Sequence, residues 1–340
     1  MKPGLLLAAA LITPVAMAQQ EYEIVALDAF VAPANGGVFA RGINNYGQVV
    51  GSYWTPDFSQ LRLFTYSLGT GMLDLGQAPS IHMVARGIND AGQIVAFGSP
   101  GGGASQAYRY TPGGGYESLS GPGDAEGLGI NNHGQVTGWA TIDGGEHAFR
   151  YTEGIGLENL GGASVGYSIN DHGTVTGVDA GNIFVQKEGE EKVVLGQGVG
   201  RAINNLDVIA GNTSLTPVGW GGFIFLNGSV QLLGSLGGAS EVWDINDRNA
   251  VVGNAYMGSS PRAFLWTEQD ALQDLNDLLP PGSGWILNGA FGINDRGQIV
   301  GDGVFNGRST AFLLTPIPEP STWALLALGA GTLLLLRRRK

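Results

Sequence analysis

Apolar residues along this chain come in short runs, several of them alternating with polar ones, and the runs are punctuated by Gly, Asn and Asp. Runs of about four to eight residues bounded in this way predict strands, not helices. One stretch is rewritten almost unchanged, as Ile-Asn-(Asn/Asp)-x-Gly-Gln-(Val/Ile)-x-Gly, from Ile43, Ile88, Ile130, Ile169, Ile203, Ile245 and Ile293. These seven copies are spaced by 45, 42, 39, 34, 42 and 48 residues. The fifth and sixth are degraded, with Asp207 and Asn249 where Gly is expected. A period near this length is that of arrays in which each unit is one small sheet.

Two further elements follow each copy. The first is an Ala-Phe-like strand, as in "AYRYT" from Ala107, "AFRYT" from Ala148 and "AFLWT" from Ala263. The second is a Leu-x-x-Leu-Gly strand, as in "MLDLG" from Met72 and "LENLGG" from Leu157. A unit therefore holds about four strands, one on either side of the Asn-rich turn and two more after those. In that turn Asn and Asp bond nearby backbone, and Gly supplies the positive φ of a type I turn with a bulge.

The seventh unit stops after its third strand, "AFLLT" from Ala311, while an orphan strand, "EYEIVAL" from Glu21, precedes the first. The residues near Tyr22 to Leu27 are expected to complete the last unit. That makes a closed ring of four-stranded sheets, an all-β, seven-bladed β-propeller clasped by its own N-terminal strand, with no open ends to cap. The residue before each repeat's Ile is Gly42, Gly87, Gly129, Ser168, Ala202, Asp244 or Gly292. Small side chains there let the innermost strands crowd an axis. Asp244 breaks that pattern, and the sequence does not account for it.

Both ends read as addresses. Residues 1–18 form a secretory signal peptide cleaved after Ala18, and residues 19–316 hold the seven repeats. Residues 317–340 carry Pro318-Glu319-Pro320, an apolar run from Trp323 to Leu336, and then Arg337, Arg338, Arg339 and Lys340. This predicts a short transmembrane helix with its C-terminus in the cytoplasm and the rest facing outward. The tail resembles the PEP-CTERM sorting signal of Gram-negative bacteria. That resemblance implies recognition by an exosortase-type membrane protease, cleavage near Pro318, Glu319 and Pro320, transient anchoring in the inner membrane, and delivery to the cell surface or beyond. It also implies a setting of exopolysaccharide and biofilm. The repeats resemble the extracellular HAF family, named for a triplet that is literal here at His147-Ala148-Phe149. That resemblance brings no activity with it.

Composition narrows the function. The chain has no Cys, which removes disulfides, thiol nucleophiles and zinc thiolates. Its net charge of −12 becomes more negative once the basic ends are removed, so nucleic acid and anionic membrane surfaces are not expected partners. His133 and His172 share the variable turn position in neighbouring units, but other units put Tyr46, Ala91 or Leu206 there, so no metal site is expected. Asp90, Asp171, Asp247 and Asp295 share the second turn position. They lack the alternating carboxylates and distal Glu of a Ca2+ loop, and an Asx turn explains them without metal. No cofactor is expected, with Ca2+ at these turns as the weaker alternative.

The connections after each second strand differ from unit to unit, and all lie on the face opposite the Asn-rich turns. Tyr53, Trp54, Trp139, Trp220 and Tyr256 sit on them or just before them, as candidates for stacking on sugar or anchoring a protein. The sequence thus reads as an exported, non-catalytic propeller that binds polysaccharide or a partner protein on that face. The alternative is a polysaccharide-acting hydrolase or lyase with carboxylates at the central channel.

Overall fold

The computed structural model describes residues 20–27, 37–121 and 123–318. The expected signal peptide and most of the tail, including Glu319, Pro320, the apolar run, Arg337, Arg338 and Arg339, lie outside the described residues. Among the described residues no helix is long and apolar enough to cross a membrane.

Tyr22–Pro316 form one compact unit of seven four-stranded antiparallel sheets. Blade 1 runs Val38–Ile43, Val49–Trp54, Leu61–Ser67 and Gly71–Asp74 from the axis outward. The next five blades repeat that order. Blade 7 takes Trp285–Ile293, Ile299–Phe305 and Arg308–Pro316 from the C-terminal end, and its outermost strand is Tyr22–Ala26. Ala26 lies opposite Phe312 and Tyr22 opposite Pro316, and Leu27 N donates to Ala311 O at 2.9 Å. The expected clasp is therefore present, and the last blade has the same four strands as the others.

The core lies between blades. Leu27, Val38, Ala40, Val49 and Phe64 of the clasp and blade 1 pack against Val300, Ala311 and Leu313 of blade 7. The repeated aromatic of the third strand, as in Phe64, Phe149, Phe184, Phe223, Phe264 and Phe312, is fully buried. Each of these rings fits because the second strand carries Gly at the facing position. A Cβ on Gly177 would lie 1.9 Å from Val165 O and 2.9 Å from the Phe184 ring. Blade 2 departs from this, with Ala96 and Tyr108 in the two places. The insertion in the last interval forms a short 3₁₀ turn, Leu275–Leu278. Its Leu275 and Leu278 are buried against Leu287 and Ala290, so it plugs the junction of blades 6 and 7.

The repeated pattern of the turns has a collective explanation. The Asn44 side chain accepts the backbone N–H of Tyr46 and Gln48, which shapes its own turn. Its amide then donates to the carbonyl of Asn89 in the next blade, at 3.0 Å. Asn89, Asn131, Asn170, Asn204, Asn246 and Asn294 do the same, and Asn294 returns to Asn44, at 2.9–3.0 Å throughout. A second closed ring runs beside it, in which the N–H at each second turn position donates to the side chain at that position in the next blade, at 2.8–2.9 Å. Asp90, Asp171, Asp247 and Asp295 are therefore clasps between blades and do not close their own turns, as an Asx turn would. Residue i+1 of the turn faces the neighbouring blade, and only residue i faces back into its own loop.

The two degraded copies are compensations. Blade 4 has Thr174, blade 5 has Val208 and blade 6 has Ala250 where the other four units place Gln, whose side chain accepts from the ring Asn, as Gln48 does from Asn44 at 2.8 Å; blades 4 and 5 make up for it. Asp207 and Asn249 supply the missing acceptor from the next blade, to Asn170 and Asn204, each at 2.8 Å. They hold the turn in the left-handed conformation that Gly takes elsewhere, with φ of 59° and 61°.

Candidate binding site at the propeller axis

Each inner strand carries an extra residue relative to its neighbour, a β-bulge two positions before the repeat's Ile, and blade 7 has a second one between Leu287 and Gly289. The bulged residues are Arg41, Arg86, Leu128, Tyr167, Arg201, Trp243 and Phe291. A bulge re-aims a side chain out of the regular alternation, and all seven of these line the axial channel. With Glu126, Trp139 and Val165 they enclose a cavity of about 400 Å³ that opens on the face of the variable loops.

Three of the seven are cations, and they are held by aromatic planes. The Arg41 guanidinium lies 4.2 Å from the Phe291 ring centre, Arg86 lies 5.2 Å from Phe97, and Arg201 lies 4.6 Å from Tyr167 and 5.1 Å from Trp243. Trp243 is itself fixed by an indole N–H bond to Asn254 Oδ1, at 2.7 Å. Among the described residues no ion pair within 4.0 Å reaches any of the three, and Arg41 Nη1, Arg86 Nε and Arg201 Nε are buried without a hydrogen-bond partner. Burial lowers the pKa of Arg41 and of Arg86, and each has another arginine pushing the same way, while Asp302 and Glu126 oppose this. Burial in turn raises Glu126, against Arg86 and a hydrogen bond from Trp139, and raises Asp302 against Arg41. Three desolvated donors face one lining carboxylate across a half-enclosed space.

Below the arginines the channel narrows to a waist of about 170 Å³ ringed by Gly42, Gly87, Gly129, Ser168, Ala202 and Asp244. The expected crowding is present, since a Cβ on Gly42 would stand 3.1 Å from Gly87 Cα, and one on Gly129 3.0 Å from Ser168 Cα. Asp244 is also explained. Its carboxylate accepts the backbone N–H of Ile245 and, across the junction, of Ile293, both at 2.9 Å. Ser168 makes the same bridge to Ile203 N at 3.2 Å. Burial pushes Asp244 up to about 7, with those two N–H groups opposing and Asp295 adding to the rise. At the turn face the bore ends in the Asn and Asp rings.

The five aromatic residues singled out from the sequence do not form one patch. Trp139 lines the cavity, whereas Tyr53 is 6% exposed in the core beside Phe64, so it supports the loop face and does not present itself there. Trp54 packs edge-on to His82 at a ring separation of 5.3 Å. Trp220 and Tyr256 are exposed, at 36% and 37%. The arginine set was missed because its residues fall between the apolar positions that reveal a strand, and only the bulge turns them inward. The signal was present in the sequence as "ARGI", twice, and "GRAI". His133 and His172 do share a shallow depression, with Glu153, Asp171 and Glu188, and His172 Nδ1 lies 3.8 Å from Asp207. Among the described residues no group of three or more His, Asp and Glu is placed to hold a metal ion.

Similarity to known proteins extends to the fold. Virginiamycin B lyase from Staphylococcus aureus superposes with a TM-score of 0.56 at 12% identity, over 88% of this chain and 100% of that one. The propeller domain of the Trilobed protease from Pyrococcus furiosus, described as having an open velcro topology, gives 0.59 at 9% identity, over 82% and 93%. A puromycin-hydrolyzing peptidase from Mycobacterium tuberculosis gives 0.54 at 13%, over 83% of this chain and 52% of its own. No curated protein sequence matches the chain. The family model of the PEP-CTERM protein-sorting motif matches residues 316–340, and that motif indicates an exported protein sorted to the cell surface.

Proposed function

We propose that this exported propeller is a non-catalytic binding protein of the cell surface or biofilm matrix, processed at its tail by an exosortase-type protease. Its ligand is a polysaccharide, and the ligand enters the axial cavity from the variable-loop face. One observation carries this reading: three arginines, aimed inward by bulges and stacked on aromatic rings, have buried donors that nothing among the described residues satisfies. Buried polar groups ordinarily find partners, and a cavity of this size with aromatic walls and convergent donors has the character of a ligand site. Membrane attachment through the tail, with its C-terminus in the cytoplasm, precedes release.

The test is a glycan array followed by titration of the full chain in mild detergent. Trp139→Ala and Arg201→Gln are expected to weaken binding at least tenfold, and Trp220→Ala, on the exposed rim, to leave it unchanged. Full binding by both cavity variants, or loss with Trp220→Ala alone, would move the site to the rim.

A second reading, a hydrolase or lyase acting on extracellular polysaccharide, draws on Glu126, whose raised pKa and place beside Arg86 suit proton transfer. Shortening of a bound polysaccharide by the wild-type chain, abolished in Glu126→Gln, would establish it.

A further inference from the structure

The charge along the bore is graded. On the loop side stand Arg41, Arg86 and Arg201, whereas Asp244 occupies the waist and Asp90, Asp171, Asp247 and Asp295 surround the turn-side mouth. The protein as a whole is acidic, with a net charge of −12, so the arginine cavity is a local inversion of its field. An anionic group drawn to the arginines meets only acidic side chains lining the bore beyond them, so the field does not draw an anionic chain on past this cavity.

The walls specify more than an anion. The guanidinium groups only donate hydrogen bonds, and the Glu126 carboxylate only accepts them when ionised. The aromatic planes of Tyr167, Trp139 and Phe291 offer apolar contact. A complementary ligand therefore carries a carboxylate, several hydroxyl donors and a C–H face, all within about 400 Å³. An acidic peptide end supplies the first of these and lacks the second.

Building on the reading of this cavity as the polysaccharide site, we propose that it captures the terminal residue of an acidic polysaccharide end-on, a sugar ring bearing a carboxylate. The carboxylate faces Arg86 and Arg201 across the bore, the hydroxyls face Glu126, and the rest of the chain leaves through the loop face.

Isothermal titration of the full chain in detergent tests this with four probes: a glucuronate-terminated tetrasaccharide, its carboxyl-reduced counterpart, a tetrasaccharide with its glucuronate at an internal position, and tetraglutamate. The terminal glucuronate is expected to bind at least tenfold more tightly than each of the other three, with an affinity that falls as salt rises. Arg201→Gln is expected to abolish that preference, and Arg201→Lys, which keeps the charge without the planar fork, to retain part of it. Thermal melts equal to wild type exclude unfolding as the cause. Equal binding of the reduced sugar that is still lost in Trp139→Ala overturns the anionic specificity while leaving the polysaccharide site standing. Equal binding of the internal glucuronate overturns the end-on mode. Tighter binding of tetraglutamate identifies a peptide site instead, and binding of no saccharide at all sinks both readings.

Discussion

The side-chain amide of Asn294 donates to the backbone carbonyl of Asn44 at 2.9 Å, joining residues 250 positions apart in the chain. The six other junctions carry the same bond, so the seam between the last blade and the first is chemically identical to the rest at this face. Asn294→Ala removes that bond, leaves the N–H groups of Arg296 and Gln298 without their acceptor, and is expected to cost about 2–4 kcal/mol. Asn131→Ala, at an internal junction, should cost the same within about 1 kcal/mol, since it removes the same set of bonds. Urea denaturation of both variants checks this. A much larger loss for Asn294→Ala would mean that the seam, not the ring, limits stability.

Asp207 and Thr174 should behave as a coupled pair. Asp207→Gly relieves a positive φ but strips Asn170 of an acceptor at 2.8 Å, so a net loss of about 1 kcal/mol is expected. Thr174→Gln rebuilds the acceptor in the way Gln135 serves Asn131, at 2.7 Å. The double variant should recover most of the loss, a coupling of about 1 kcal/mol in a double-mutant cycle. Strict additivity would remove the compensation argument.

Asp244 sets a pH dependence whose sign is fixed. Its folded-state pKa, about 7, lies above that of an unfolded carboxylate. Between about pH 4 and pH 7 the folded chain therefore binds more protons than the unfolded one at this site. Its contribution to stability is complete at the acid end and is lost as pH rises to 7, with a slope of up to about 1.4 kcal/mol per pH unit. Asp244→Ser, which copies the residue found at Ser168, should flatten that part of the profile. An unchanged pH profile of the denaturation midpoint would place the titration elsewhere.

Gly177→Ala should be among the most damaging single-methyl additions. The added carbon would stand 1.9 Å from Val165 O, beside the fully buried Phe184, and backbone must move to admit it. A loss of about 2–3 kcal/mol is expected. Gly181→Ala, with nothing within 4 Å of the added carbon but a φ of +83°, should cost only about 1 kcal/mol of backbone strain. Thermal melting of the pair separates crowding from conformational strain.

The ring was legible in the sequence because its physics is local and repeated. Alternation marks each strand, Asn and Gly mark each turn, and a missing last strand at one end matches a spare strand at the other. Export was legible too, since residues 316–340 carry a linear signal that is matched as such. The use of the chain's polar residues was not legible. Asp90 and its equivalents looked like turn formers, and only assembled blades show that they reach across a junction. Asp207 looked like decay, and only its proximity to Asn170 shows it to be a replacement. Arg41, Arg86 and Arg201 sit in strands from three separate repeats, 45 and 115 residues apart in sequence, and nothing in the sequence links them. A bulge shifts the inward-outward alternation by one residue inside a strand too short for that shift to be read from sequence, and closure of the circle brings the three together. Repetition determined the frame of this protein, whereas the convergence of seven bulged side chains on one axis, a property of the closed ring alone, decided where the candidate site lies.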